Sequence, residues 1–317
     1  MTWLSAPYIT ITISIAALLL GCLNFVLAMI SERKRTALQR RGDRLEIDRL
    51  LDGAWLSLYG PEGFAKTRSF AKYVEAEGAV QQALVLDGAN ARGIRYQGLL
   101  YELRDNKSAA REKYHESLRL NPDDYRTHYC LGLVLEGREA EASFRRAIDC
   151  DPNEAWPHFK LAQLLDKMYD VEQADFHYEQ ATILQPNEVD FSIARARFLE
   201  RMGKRDEARA LFERVIAVVP SSVTALVGLG VMIAEDGEWD EGIEWIQQAM
   251  RCDPNDSHPY AMMAAMYADR KEPEKALEFN AKAIQLDTTR RLSGDVSQDI
   301  AREMKKLIEM RQRGETG

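Results

Sequence analysis

The sequence predicts an all-α solenoid of helical hairpins preceded by one transmembrane helix. Three observations carry that expectation. Prolines recur every 34 residues over much of the chain. Small residues recur between them in constant register. Near the start, the run Ile9–Ile30 holds no charged side chain.

That run comes first. It reads ITITISIAALLLGCLNFVLAMI, with Asn24 its most polar residue. At 1.5 Å per residue it spans about 33 Å as a helix, enough for a hydrocarbon core of about 30 Å. A lone segment satisfies its backbone in lipid only as a helix. Trp3 and Tyr8 precede it, where interfacial aromatics are favoured. The leader has no Lys or Arg, whereas Arg33, Lys34, Arg35, Arg40 and Arg41 follow the run. Basic flanks stay in the cytoplasm. The expectation is therefore a single-pass membrane protein, N-terminus outside and the body cytoplasmic. A cleaved signal peptide places its basic residues before the apolar stretch, not after it. Leu19-Leu20-Gly21-Cys22 resembles a lipobox, and lipidation at Cys22 is the alternative. Residues 31–43 form a basic juxtamembrane linker, in which Arg33, Lys34 and Arg35 are placed to meet anionic lipid.

The repeat follows. Pro122, Pro152, Pro186, Pro220 and Pro254 each close an apolar stretch, spaced 30, 34, 34 and 34 residues. One period before Pro122 the frame falls on Asp87-Gly88, and ten residues after each of these six marks stands a small residue: Gly98, Gly132, Ala162, Ala196, Gly230 and Ala264. A second small residue follows at Ala110, Ala140, Ala174, Ala208, Gly242 and Ala276. Four positions on comes a bulky one, Tyr114, Phe144, Tyr178, Phe212 or Ile246, with Asn280 the exception. Small residues let two helix axes approach, and proline ends the second helix.

This pattern resembles the tetratricopeptide repeat (TPR) family. The resemblance covers six units: 91–124, 125–154, 155–188, 189–222, 223–256 and 257–290. It implies a right-handed superhelix of hairpins, helix A then helix B, whose concave wall is lined by helix A. Upstream, Ala76, Val80 and Ala83 keep the helix B frame, so 44–90 reads as a degenerate first repeat with a loop insertion around Gly60-Pro61. Downstream, Val296, Ile300, Met304 and Ile308 suit a C-terminal capping helix over 294–313. The unit of 30 residues has lost four between Leu135 and Ala140, and both of its helices are expected to lose part of a turn.

Chemistry is largely excluded. The chain carries 42 Lys and Arg against 50 Asp and Glu, a net charge of -8, which argues against nucleic acid. Residues 1–50 hold seven basic against four acidic side chains, so the body is more acidic still. No P-loop, Gly-x-Ser-x-Gly or His-Glu-x-x-His motif occurs. Cys22, Cys130, Cys150 and Cys252 form no Cys-x-x-Cys pair, and no two of the five histidines stand three or four apart. The expectation is no enzyme, no cofactor, no metal and no small-molecule substrate.

The resemblance implies binding instead. Positions four, seven, eleven and fourteen after each mark would face the groove, the last of them Glu200 in the fourth unit. They single out Arg92, Arg95, Tyr129, Leu133, Trp156, Phe159, Gln163 and Arg197. Arg and aromatic side chains dominate binding energy at interfaces. For the aromatics, packing between units is the alternative role; for the arginines, a solvated face. The short unit is expected to leave a notch that exposes Trp156 and Phe159 beside Tyr129. One TPR subclass grips a terminal carboxylate with Lys and Asn at the seventh and eleventh positions; here those pairs are Arg95/Leu99, Tyr129/Leu133 and Phe159/Gln163, so that clamp is absent. The layout resembles N-terminally membrane-anchored bacterial members of the family, which implies a membrane-anchored scaffold that recruits a partner protein or peptide to the cytoplasmic face of a bacterial inner membrane. The alternatives are a periplasmic assembly factor of the bacterial envelope, anchored or lipidated, and a protein like the organellar import receptors.

Overall fold

The computed structural model describes the backbone of residues 6–59 and 70–287. Every element in them is an α-helix, and the helices pair in sequence order. They divide into two compact units, up to Cys150 and from Asp151.

The first unit holds three hairpins: α1 (Ala6–Tyr59) with α2 (Phe70–Leu86), α3 (Ala91–Leu103) with α4 (Lys107–Leu120), and α5 (Tyr125–Val134) with α6 (Gly137–Cys150). α1 runs unbroken through the basic segment 31–43, where Arg33, Lys34 and Arg35 are exposed. Its last turns bury Ile47, Leu51 and Ala54 against Ala76, Val80 and Ala83 of α2. The segment around Gly60-Pro61 and the capping stretch 294–313 lie outside the described residues, as do the side chains of residues 9–28. Among the described residues no helix is long and apolar enough to cross a membrane.

The second unit holds four hairpins: α7 (Ala155–Lys167) with α8 (Val171–Leu184), α9 (Val189–Arg201) with α10 (Arg205–Val218), α11 (Val223–Glu235) with α12 (Trp239–Cys252), and α13 (Ser257–Asp269) with α14 (Pro273–Asp287).

The small and bulky positions explain the pairing. A Cβ on Gly230 would lie 2.7 Å from the Gly242 carbonyl oxygen, so only glycine allows α11 and α12 to approach this closely. The bulky residue of helix B fills the space left by the small residue of its own helix A, and it also reaches the following hairpin. Tyr178 on α8 meets Phe198 on α9, their rings 5.3 Å apart.

Four helix starts are capped by side chains. Asn90, Asn106, Asp170 and Asp256 each accept a hydrogen bond from a first-turn N–H. The A–B turns need one left-handed residue. Glycine supplies it at Gly203 and Gly237, but Tyr169 fills the place at φ +62°.

The short unit departs from expectation. α5 has 10 residues where α3, α7, α9, α11 and α13 have 13. α6 keeps 14 residues, the length of α4, α8, α10 and α12. The loss therefore falls on helix A and its turn, and helix B is whole. Helix B carries Ala140, Phe144 and Ala147, all buried, and shortening it would expose that seam. The exposed end of helix A, just before the turn, loses less on deletion.

Candidate functional site

In the first unit, Arg92 stands on α3 with its guanidinium on the Asp52 carboxylate and 3.6 Å from Asp48. Its other partner is the Tyr96 hydroxyl at 3.4 Å. Arg95 does not face a groove. It is 6% exposed, and its guanidinium sits on the Asp124 carboxylate. Asp124 also accepts the Thr127 hydroxyl at 2.6 Å, and Ser117 donates to the Ala91 carbonyl at 2.8 Å. Arg95 thus joins two consecutive repeats through a buried ion pair. An unpaired buried guanidinium would be costly, so the charge is retained with its partner.

Tyr129 and Leu133 are half-buried on α5. The Tyr129 ring lies 6.1 Å from Phe144, and burial pushes its hydroxyl pKa up, Cys130 and Glu102 adding to the shift.

In the second unit, four of the expected residues meet. Trp156, Phe159, Gln163 and Arg197 line one cavity of about 430 Å³ between α7 and α9, with Tyr178 of α8 at its margin. Its floor is an aromatic cluster. Trp156 stands edge-on to Phe191 at 4.9 Å and to Phe159 at 5.9 Å, and Phe159 lies 4.6 Å from Phe191. Such pairs contribute about 1 kcal/mol each beyond burial. Phe159 is buried, so its role is to support the floor, whereas Trp156 is half-buried and borders the open space.

The rim is polar. Lys160 donates to Gln163 Oε1 at 3.2 Å and lies 5.2 Å from the Phe159 ring centre. Arg201 sits on the Asp166 carboxylate. Arg197 is exposed and, among the described residues, makes no ion pair. Its charge reaches His258 on α13, whose pKa is lowered by burial first and by Arg197 second. Glu200 also feels Arg197, but burial and Glu235 raise its carboxyl above the usual range.

Lys160, Ala194 and Arg201 line the cavity and were not anticipated. Lys160 and Arg201 stand one residue beyond the expected stripe, and a strict stripe omits its long-chained neighbours. Tyr178 was assigned to packing, and it does both. Among the described residues no group of three or more His, Cys, Asp or Glu is arranged to hold a metal ion.

The hairpin array, with its small and bulky seams, defines a repeat protein of helix–turn–helix units, and the chain carries tetratricopeptide repeats. The tetratricopeptide repeat family is matched over residues 193–257 and again over 143–176. A tetratricopeptide repeat protein from Parabacteroides merdae superposes with a TM-score of 0.57 at 13% identity, over 82% of this chain and 99% of that one. The pilF protein of Pseudomonas aeruginosa gives 0.54 at 16% identity, over 68% and 98%. A chain of the APC/C hetero-tetramer Cut9–Hcn1 gives 0.57 at 12% identity, over 75% and 49%. These likenesses concern the fold. No curated protein matches the sequence.

Proposed function

We propose that the protein is a scaffold that binds a partner protein or peptide against helices α7 and α9 and holds it at a membrane through residues 9–30. The observation that carries the binding role is the cavity of about 430 Å³ with Trp156 at its edge. A groove of this kind, apolar below and polar at the rim, matches the anatomy of interfaces with a buried aromatic anchor. The membrane role rests on the uncharged run of residues 9–30 and the basic residues after it.

The test is capture of the partner from detergent-solubilised membranes by the full chain. Ala194→Arg fills the cavity without removing a floor residue, and Trp156→Ala removes the anchor. Both should lose the partner. Ile183→Ala, at a side chain 62% exposed on α8, should keep it. Retention by Ala194→Arg would refute the groove. A reporter fused after Gly317 reads topology, and activity on the outer side would refute the cytoplasmic placement.

A further inference from the structure

We propose that the exposed face of α8 takes residues 34–45 of α1 from a second copy of this chain, so that the protein self-associates through a pair of helices of opposite charge. This contact is independent of the groove between α7 and α9.

The two faces share one spacing with the charges reversed. On α1, Lys34, Leu38, Arg41 and Leu45 follow one another by 4, 3 and 4 residues. On α8, Glu172, Phe176, Glu179 and Ile183 do the same. At 3.6 residues per turn, each set falls within about 60° of its helix. All eight side chains are exposed. The apolar ones keep more than half of their surface in water: Leu38 68%, Leu45 64%, Phe176 53% and Ile183 62%. Leu38 and Leu45 stand about 12 and 22 Å past Ile30 along the helix axis, beyond the uncharged run.

The repeat supplies the comparison. One, two and three periods of 34 residues beyond Phe176 stand Ala210, Glu244 and Glu278, and beyond Ile183 stand Ala217, Arg251 and Gln285. The hairpin therefore folds without large apolar side chains at these places, and in the second unit α8 alone carries them there.

Laid side by side in parallel, Leu38 meets Phe176, Leu45 meets Ile183, Lys34 meets Glu172 and Arg41 meets Glu179, over about 16 Å. Burial of the apolar four drives the contact, and the charges fix its register and direction. Two copies of the α8 face would set glutamate against glutamate, and two of the α1 face cation against cation, so the unlike pairing is favoured. Glu179 also holds Arg195 at 3.1 Å, yet its side chain is 48% exposed, so a second guanidinium can reach it.

The test uses the full chain in detergent micelles, with donor and acceptor fluorophores on separate copies after Gly317. Empty micelles are in excess, so that two copies do not share one by chance. Energy transfer against dilution reads self-association. Phe176→Glu, Arg41→Glu and Glu179→Arg should each weaken it about tenfold. Mixing the Arg41→Glu and Glu179→Arg variants, donor on one and acceptor on the other, should restore it. Each altered face then meets its opposite charge, and each unaltered face its original counterpart. Unchanged helicity confirms that the variants fold. Absence of energy transfer in the unaltered chain, indifference to Phe176→Glu, or no recovery in the mixture overturns the proposal. Recovery in the doubly substituted chain but not in the mixture puts the contact within one chain, and the second copy falls.

Discussion

Gly98 offers a test of the seam that builds every hairpin. It sits on α3 against Tyr114 of α4. A Cβ there would lie 2.5 Å from Tyr114 Cε1 and 2.7 Å from Cδ1. Carbon atoms rest about 3.5–4.0 Å apart, so Gly98→Ala forces an overlap of about 1 Å. The ring has nowhere to retreat. Tyr114 is fully buried, and its hydroxyl donates to Glu102 Oε2 at 3.0 Å. Overpacking of this kind costs up to about 3 kcal/mol. Alanine recovers about 1 kcal/mol through its helix propensity. The expected net loss is about 2 kcal/mol, read as faster hydrogen exchange of the α3 and α4 amides. In a Tyr114→Ala background the overlap vanishes and the propensity gain remains. The same substitution should then stabilise by about 1 kcal/mol, a coupling of about 3 kcal/mol. Equal destabilisation in both backgrounds would refute the argument, because the cost would then have nothing to do with the ring.

Three further outcomes are expected. Arg95→Ala leaves Asp124 without its buried partner and should destabilise the hairpins α3–α4 and α5–α6 by about 3 kcal/mol in urea unfolding; a change under about 0.5 kcal/mol would show Arg95 to be a free surface residue. Tyr169→Gly relieves a left-handed residue whose side chain is 89% exposed, so it should stabilise the α7–α8 turn by about 1 kcal/mol in thermal unfolding. His158 and His177 are buried with their Nδ1 atoms 2.9 Å apart, and burial lowers the His158 pKa, partly opposed by a hydrogen bond to the Pro152 backbone. The unfolded chain therefore binds a proton that the folded chain resists, so stability is complete above the unfolded value of about 6.5 and falls with pH below it, by at most about 1.4 kcal/mol per unit for this group. His158→Asn should flatten that acid slope in denaturation curves taken from pH 7 to pH 5.

The repeat register was legible in the chain because a hairpin array is held by local contacts. The small residues ten places after each mark and the bulky residues of helix B meet within one unit, and their spacing along the chain encodes the contact. Gly98 with Tyr114 and Gly132 with Phe144 needed no knowledge of distant sequence. The chemistry at the helix A positions was less legible. Arg95 occupies the same register as Tyr129, Phe159 and Ile193, yet it is buried in an ion pair, because Asp124, the residue before the next helix A, presents its carboxylate there. That depends on which side chain the neighbouring hairpin presents, and periodicity carries no such information. The four-residue deletion was visible as a number, but its division between helices followed from the buried face of α6. Trp156, Gln163 and Arg197 come together because α7 and α9 both pack on α8, which sets a separation no spacing along the chain contains. Register is a one-dimensional property of the sequence, whereas the pairing of charges and the opening of the cavity are decided by how helices pack in three dimensions.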